Sequence, residues 1–351
     1  MHWVPCGTYN VNYRQDFAIF RTIPHWISLA IFLIILFTLP FYSSRYLLTL
    51  LSTIGITIIA VQGLGVLTGY AGQISIGQAA FVGTGAYISV IVSQKFGFPF
   101  LLALVVGGFG SGIIGIMFGL PALRIKGFYL AMSTLAAQVI LGWFFLHLRG
   151  ITGGTEGLHV EYASFAGIVF DTPQKKYWMI MVFTLLTLFF VKNLMRTRVG
   201  RALVAIRDND LAAEVMGIDV SIYKLLAFFI SCFFAGIAGG LFAHYISFIN
   251  PVQFTLRDSI LYLGILIVGG MGSTMGAIFG TVFMKFIEEI AFVVSPALTM
   301  WFPSFGAQFF AALSLAFYSI IIILFLVFEP RGINHMWVVL KNRYRLYPFS
   351  Y

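Results

Sequence analysis

Between Gly200 and Asp219 the chain reads GRALVAIRDNDLAAEVMGID, the longest charge-rich stretch in a sequence that is 60% hydrophobic and 9% charged. Wound as one helix, it puts Ala202, Ala205, Asn209, Ala212, Ala213 and Met216 on a shallow face, with Arg207, Asp210 and Glu214 sharing another. A face of alanines can seat closely in a groove, while mixed charges keep the other side wet. The stretch lacks the large apolar anchors and basic excess that hold a helix on a lipid surface. Its chemistry is that of a handle for a cytoplasmic partner protein; the plain alternative is a solvated loop helix. A second set of residues is uncharged. Gln62, Gln73, Ser75, Gln78 and Gln138, with His244, Asn250 and Gln308, stand inside apolar sequence, where polar groups are costly unless they face protein or a water-filled path. GYAGQISIGQAAFVGTGAY (Gly69–Tyr87) is the densest such run. Its glycines let the backbone bend, and its amides and hydroxyls can satisfy the freed groups. It reads as lining a translocation path at least in part, the alternative being a packing element alone.

Titrating groups at depth are scarce. Lys285 lies shortly before Glu288 and Glu289, which predicts a local ion pair near the membrane interface. Arg257 and Asp258 read as the anchor of a helix start, and His147 and His159 as interfacial rather than metal ligands. Cys6 and Cys232 stand far apart, so neither a disulfide nor a cysteine metal site is expected. The sequence has no His-Glu-x-x-His and no Gly-x-Ser-x-Gly motif, which disfavours an enzyme. It also has no G-x-x-x-x-G-K-[ST] loop, so ATP is not bound by that means and no cofactor of its own is expected. The energy must come from another chain or from an ion gradient.

The elements that position these residues are membrane helices. The chain has 351 residues, 38 Phe and 36 Gly, with a mean hydropathy of +0.96. Its repeated apolar runs match the roughly 17–25 residues that cross a hydrocarbon core of about 30 Å. Expected spans are Trp26–Tyr42, Tyr46–Leu67, Ile74–Ser93, Phe98–Leu120, Phe128–His147, Trp178–Val191, Lys224–Phe248, Ser259–Gly270, Ala277–Val294 and Ala307–Phe328. This is an all-α polytopic membrane protein of about ten crossings, the eighth short enough to be re-entrant. The first span has no cleavage site before it and reads as retained.

The formal charge of +9 reflects Lys and Arg between spans rather than nucleic-acid binding. Arg124 and Lys126 in ALRIKG, the basic residues of 192–223 with Lys224, and the tail residues Arg331, Lys341, Arg343 and Arg345 fall on one side if Ser259–Val294 crosses twice, broken at GGMGSTMG. The positive-inside tendency makes that side cytoplasmic. Both termini are then cytoplasmic: an N-terminal segment 1–25, a transmembrane domain 26–333 and a tail 334–351. Lys175 and Lys176, in the outer loop, obey the rule poorly. The outer loop Gly150–Tyr177 reads equally as a docking or gating loop and as a plain connector. Glycines recur four apart at Gly108 and Gly112, Gly115 and Gly119, Gly236 and Gly240, and Gly272, Gly276 and Gly280. Such spacing allows close helix approach in lipid, mostly within one subunit.

GYAGQISIGQAAFVGTGAY, PALRIKGFYLAMSTLA, ITGGTEGL, RVGRALVAIRDNDLAAEVMGIDVSIYKLLAFFISCFFAGIAGGLF, ILIVGGMGSTMGAIFG and FEPRGI together resemble the motifs of branched-chain amino acid ABC transporter permeases of the LivM type. The resemblance runs from about Gly69 to Ile333. It implies a type II ABC importer permease bundle in the plasma (inner) membrane. A cytoplasmic ABC ATPase pair consuming ATP, an extracytoplasmic solute-binding protein and a LivH-type permease would complete the importer. The charged stretch would be the coupling segment, involving Arg201, Ala205, Arg207, Asp208, Asn209, Asp210, Ala212, Ala213, Glu214 and Gly217. LAAEVMG resembles the importer signature E-A-A-x-x-x-G at Ala212, Ala213 and Gly217; Leu211 replaces the acid, so the acid's role is not carried over. The implied solute is a branched-chain amino acid, with urea or short amides as the cargo of close relatives. The competing reading is an ion-coupled secondary transporter, which would move solute without an ATPase.

Overall fold

The computed structural model describes residues 23–123, 128–165, 167–301, 307–329 and 331–346. Cys6, Arg124, Lys126, nearly all of the expected segment 1–25, the Gln308 side chain and the end of the tail lie outside the described residues.

The apolar runs form helices α1 (Ile23–Tyr42), α2 (Arg45–Leu64), α3 (Gln78–Phe96), α4 (Phe100–Ala122) and α5 (Phe128–His147). A short α6 (Arg149–Thr152) leads into the loop, and α7 (Pro173–Leu194) returns through the bundle. The charged stretch makes α8 (Arg198–Asp208) and α9 (Asp210–Val215), followed by α10 (Val220–Ile246), α11 (Leu256–Gly269), α12 (Thr274–Trp301), α13 (Ala307–Phe328) and α14 (Ile333–Leu346). Each expected span coincides with a helix. Among the described residues, however, seven helices are long and apolar enough to cross a membrane, or up to eight if the bent pair Ser319–Phe328 and Ile333–Arg343 is one span. The count of ten is therefore not carried by length and composition. The expected third span shows the reason: its helix starts at Gln78 rather than Ile74, and its opening turns hold Gln78, Gly83, Thr84 and Gly85.

α3, α4 and α10 form the centre, with α2 against α10 and α7. Small residues permit this. A Cβ on Gly85 would collide with the Gly236 backbone, and one on Gly239 with the Val82 carbonyl. Gly108, Gly112, Gly115 and Gly119 of α4 face Ile237, Phe229, Cys232 and Phe228 of α10. The recurrent glycines thus pack this chain against itself, the commoner expectation.

Two helices begin inside the bundle. The Gln78 amide, at the first turn of α3, donates to the Ala60 carbonyl of α2 at 3.0 Å. Ala60 lies about 22 Å along α2 from Arg45, at 1.5 Å per residue. α11, about 21 Å long on the same measure, also starts at this level, because the Ala79 amide donates to Ser259 Oγ at 2.8 Å. Alone it is shorter than the roughly 30 Å core, and it counts among the seven candidate spans only together with the turn before it, as Pro251–Gly269.

The loop 150–172 is ordered rather than open. Leu158 and His159 pair antiparallel with Ile249 and Phe248, and Ser164–Phe165 pairs with Ile168–Val169. The first pair stitches the loop to the α10–α11 connection. The tail holds an element that the sequence reading lacked: α14 lies against the α11–α12 break, where a Cβ on Gly332 would meet Gly270 at 2.5 Å.

Candidate functional site

The charged stretch is not one helix. It breaks at Asn209, whose backbone is extended (φ −161°, ψ 109°) and whose side chain caps α9 by accepting from the Ala212 amide at 3.1 Å. Asn, with a short acceptor side chain, is a favoured residue for this role. The single alanine face therefore does not form: Ala202 and Ala213 are buried within the chain, Ala205 is half-buried and Ala212 is exposed. What projects is a knuckle of Leu211 (64% exposed), Val215 (86%) and Met216 (82%), with Glu214 exposed beside them. Gly217 ends it in the left-handed region (φ 83°) with nothing near its missing Cβ. Periodicity across an uninterrupted helix could not reveal the break; the Asn cap was its only local signal.

Behind the knuckle, Asp210 pairs with Lys224 of α10 at 3.5 Å, and Arg201 Nη1 donates to the Arg196 carbonyl at 3.2 Å. Arg207 is the joint. Its Nε and Nη2 donate to Asp208 Oδ1 at 3.0 and 2.9 Å, while Nη1 donates to the Gly69 carbonyl at 3.2 Å. Its stem lies against Gly72 (φ 69°), where a Cβ would come within 2.9 Å of Cγ. Nη1 also lies 3.1 Å from where a Cβ on Gly272 (φ 78°) would stand. One side chain thus touches both glycine breaks, GYAGQ and GGMGS. At the first, α2 runs on into a π-helical segment, Gly65–Tyr70, a distortion that recurs at functional positions. A cleft of about 350 Å³ opens here, lined by Gln73 together with Arg207, Asp208, Asn209 and Asp210.

The five path candidates are all buried: Gln62, Gln73, Ser75, Gln78 and Gln138. Gln138 and Gln78 hold α3's inward start. Gln138 Oε1 accepts from the Ala80 amide at 2.9 Å and from Ser259 Oγ at 2.8 Å, and its Nε2 donates to the Phe254 carbonyl at 2.9 Å. Gln78 Oε1 accepts from Ser231 Oγ at 3.3 Å. Thr134 Oγ1 accepts from the Ile76 amide at 2.9 Å. The first amides of a helix lack internal partners, so these side chains perform capping that water cannot. Ser259, Thr134 and Ser231 belong to the network although the sequence reading did not single them out. Gln62 Oε1 and Gln73 Oε1 are buried with no hydrogen-bond partner among the described residues. His244 Nδ1 lies 3.2 Å from the Glu161 carbonyl, and Asn250 caps the turn before α11.

A second cavity, of about 200 Å³, lies between α2, α11 and α12. It contains the expected ion pair, Lys285 Nζ to Glu288 Oε2 at 2.7 Å, and Asp258. Asp258 does anchor its helix, with Oδ2 accepting from the Thr255 amide at 3.0 Å and from Thr255 Oγ1 at 2.5 Å. Lys285 is about 16 Å along α12 from Thr274. Among the described residues no cluster of His, Cys, Asp or Glu suited to a metal occurs.

Comparison with known proteins agrees with the helical architecture. The chain is 30% identical over 293 residues to the high-affinity branched-chain amino acid transport system permease protein LivM of Salmonella typhimurium, covering 77% of this chain and 69% of that protein. LivM of Escherichia coli is 29% identical over the same length and shares. The autoinducer 2 import system permease protein LsrC of Yersinia pseudotuberculosis is 26% identical over 283 residues, covering 77% and 73%. The family profile described as branched-chain amino acid transport system / permease component matches residues 46–326. With that match spanning most of its length, this multi-pass membrane chain belongs to the branched-chain amino acid transport system / permease component family.

Proposed function

We propose that the chain is the LivM-type subunit of an ATP-driven importer of branched-chain amino acids in the inner membrane. It would work beside a LivH-type permease, a cytoplasmic ATPase pair and an extracytoplasmic binding protein. On this reading the end of the bundle carrying Arg207 is cytoplasmic, and the knuckle Leu211–Met216 seats in the ATPase. Arg201, Ala205, Asp208, Asp210 and Ala213 set the knuckle's foundation rather than its contact face. ATP is bound by the partners, and this chain contributes the path and the linkage.

The observation that carries the reading is the Arg207 joint. Exposed apolar side chains on a charged segment outside the bundle call for a partner. A push on that partner surface reaches both glycine breaks through one guanidinium. The capped network of Gln78, Gln138 and Ser259 then fixes α3, while the unpartnered oxygens of Gln62 and Gln73 are the polar groups left for the path. The bond from the Tyr177 hydroxyl to the Leu36 carbonyl (3.0 Å), where α7 leaves the outer loop, supports the start of α1 lying at the cytoplasmic end, and the approach of Gly332 to Gly270 supports the same for the start of the tail helix.

Co-expression of the four components, followed by ATP-dependent uptake of L-leucine and of autoinducer 2 into vesicles, tests the function. Leucine uptake is expected. Val215→Glu with Met216→Glu should abolish co-purification of the ATPase while leaving membrane insertion intact. Normal assembly and uptake in that variant would remove the docking assignment, and autoinducer 2 as the only cargo would remove the solute assignment.

A further inference from the structure

The roughly 200 Å³ cavity between α2, α11 and α12 is not explained by packing. We infer that it is a binding site, on the route through this chain, for a zwitterionic α-amino acid with an aliphatic side chain. This rests on the importer reading above and adds to it a place and a chemistry.

The two signs of charge are the first argument. Ionisable side chains at membrane depth are rare and functional by default, and this cavity gathers Lys285, Glu288 and Asp258 from two different helices. A helical ion pair needs no cavity, and it needs no third carboxylate from another helix. Lys285 and Glu288 neutralise one another at 2.7 Å, while both cap bonds of Asp258 run to Oδ2, leaving Oδ1 outside the cap. A carboxylate from a solute can therefore meet Lys285, and its ammonium group the Asp258 and Glu288 carboxylates. Such charge-assisted bonds are the strong ones, although the Glu288 side chain is itself 53% exposed.

The remaining wall is the second argument. Ile56, Val82, Leu261, Ile265 and Met284 present aliphatic surface to the same space. Carboxylate, ammonium and a branched hydrocarbon thus each find a matching wall. A neutral polyol would leave both charges unanswered and the aliphatic wall unfilled. The volume agrees in scale, since about 150 Å³ already admits a benzene-sized molecule.

The route is the third argument. Asp258 sits one residue before Ser259, which caps the inward start of α3. The site therefore adjoins the network that holds the mid-depth break, and occupancy there is felt by the elements that Arg207 reaches from the other side.

The test uses the full wild-type importer in proteoliposomes with a diazirine analogue of leucine. The analogue is photolysed during ATP-driven turnover and the adducts are mapped by mass spectrometry. Adducts are expected within 56–57, 261–265 and 284–288, suppressed by excess L-leucine. Lys285→Gln should lower their yield about tenfold or more, as loss of a hydrogen bond to a charged group implies, and Lys285→Arg should largely restore it. Uptake of the analogue with adducts confined to other regions, or adducts at this cavity indifferent to L-leucine, would overturn the site while leaving the importer reading intact. Failure of the assembled complex to take up leucine or the analogue would sink the importer reading, and the site with it. If Lys285→Gln does not assemble, the wild-type adduct map and the Lys285→Arg yield still decide.

Discussion

Arg207 Nη1 and the Gly69 carbonyl oxygen, 138 residues apart in sequence, are joined at 3.2 Å. The bond ties an exposed pair of short helices to the point where α2 loses its α-helical hydrogen bonding. Arg207→Met keeps a stem to pack on Gly72 but removes the donors. A hydrogen bond to a charged group is worth about 1.5–3 kcal/mol, so uptake should fall at least about tenfold while the ATPase remains bound and active. The measurement is the ratio of solute imported to ATP hydrolysed, and an unchanged ratio would show that the joint transmits nothing.

The contacts of α3 with α10 set a stability prediction. Gly85→Ala and Gly239→Ala each place a methyl group into backbone and should destabilise the solubilised protein by about 1–3 kcal/mol or more. Gly142, within α5, has nothing within 4 Å of its missing Cβ. Gly142→Ala should be neutral or stabilising by up to about 1 kcal/mol. Thermal unfolding of the three variants separates the cases, and equal effects at all three would contradict the packing.

Gln138 and Ser259 share a hydrogen bond and each also caps α3. Ser259→Ala leaves the Ala79 amide buried without its acceptor, a cost of about 1–3 kcal/mol. Gln138→Leu should cost at least as much. Because the two act through one network, the double variant should fall short of the sum by about 0.5–3 kcal/mol. Strict additivity in a double-mutant cycle would mean that the caps work independently.

Single cysteines at Asn209 and Glu156, both exposed, test the orientation once Cys6 is replaced by serine; Cys232 is buried. An impermeant thiol reagent added to intact cells should modify the Glu156 position and spare the Asn209 position. Modification of both from outside would overturn the threading.

Helix identity was legible because apolar length depends on composition alone. Ionic neighbours at helical spacing, such as Lys285 and Glu288, were legible for the same local reason, and so was Asp258 at a helix start. Where α12 begins was less legible, since its start at Thr274 follows from the break that packs against Gly332. The amides Gln78 and Gln138 were picked out as polar groups in an oily chain, but their partners lie 18 to 153 residues away, and such pairings are set by the fold. The alanine face of the charged stretch failed for a converse reason. A helical wheel assumes continuity, and Asn209 ends it.

The π-helical segment Gly65–Tyr70 has a consequence for descent. Hydrogen bonds closing over five residues instead of four accommodate one additional residue in the turn, so the segment has the form of a single-residue insertion absorbed without shifting the rest of α2. Deleting one residue between Gly65 and Thr68 would return the segment to regular winding and leave Gly69 facing the Arg207 guanidinium, whereas deleting one from the regular part of α2 would rotate Gly69 by about 100° away from it. Homologues that lack the extra residue can therefore keep the arginine's contact, and the π-turn and the arginine should be inherited independently.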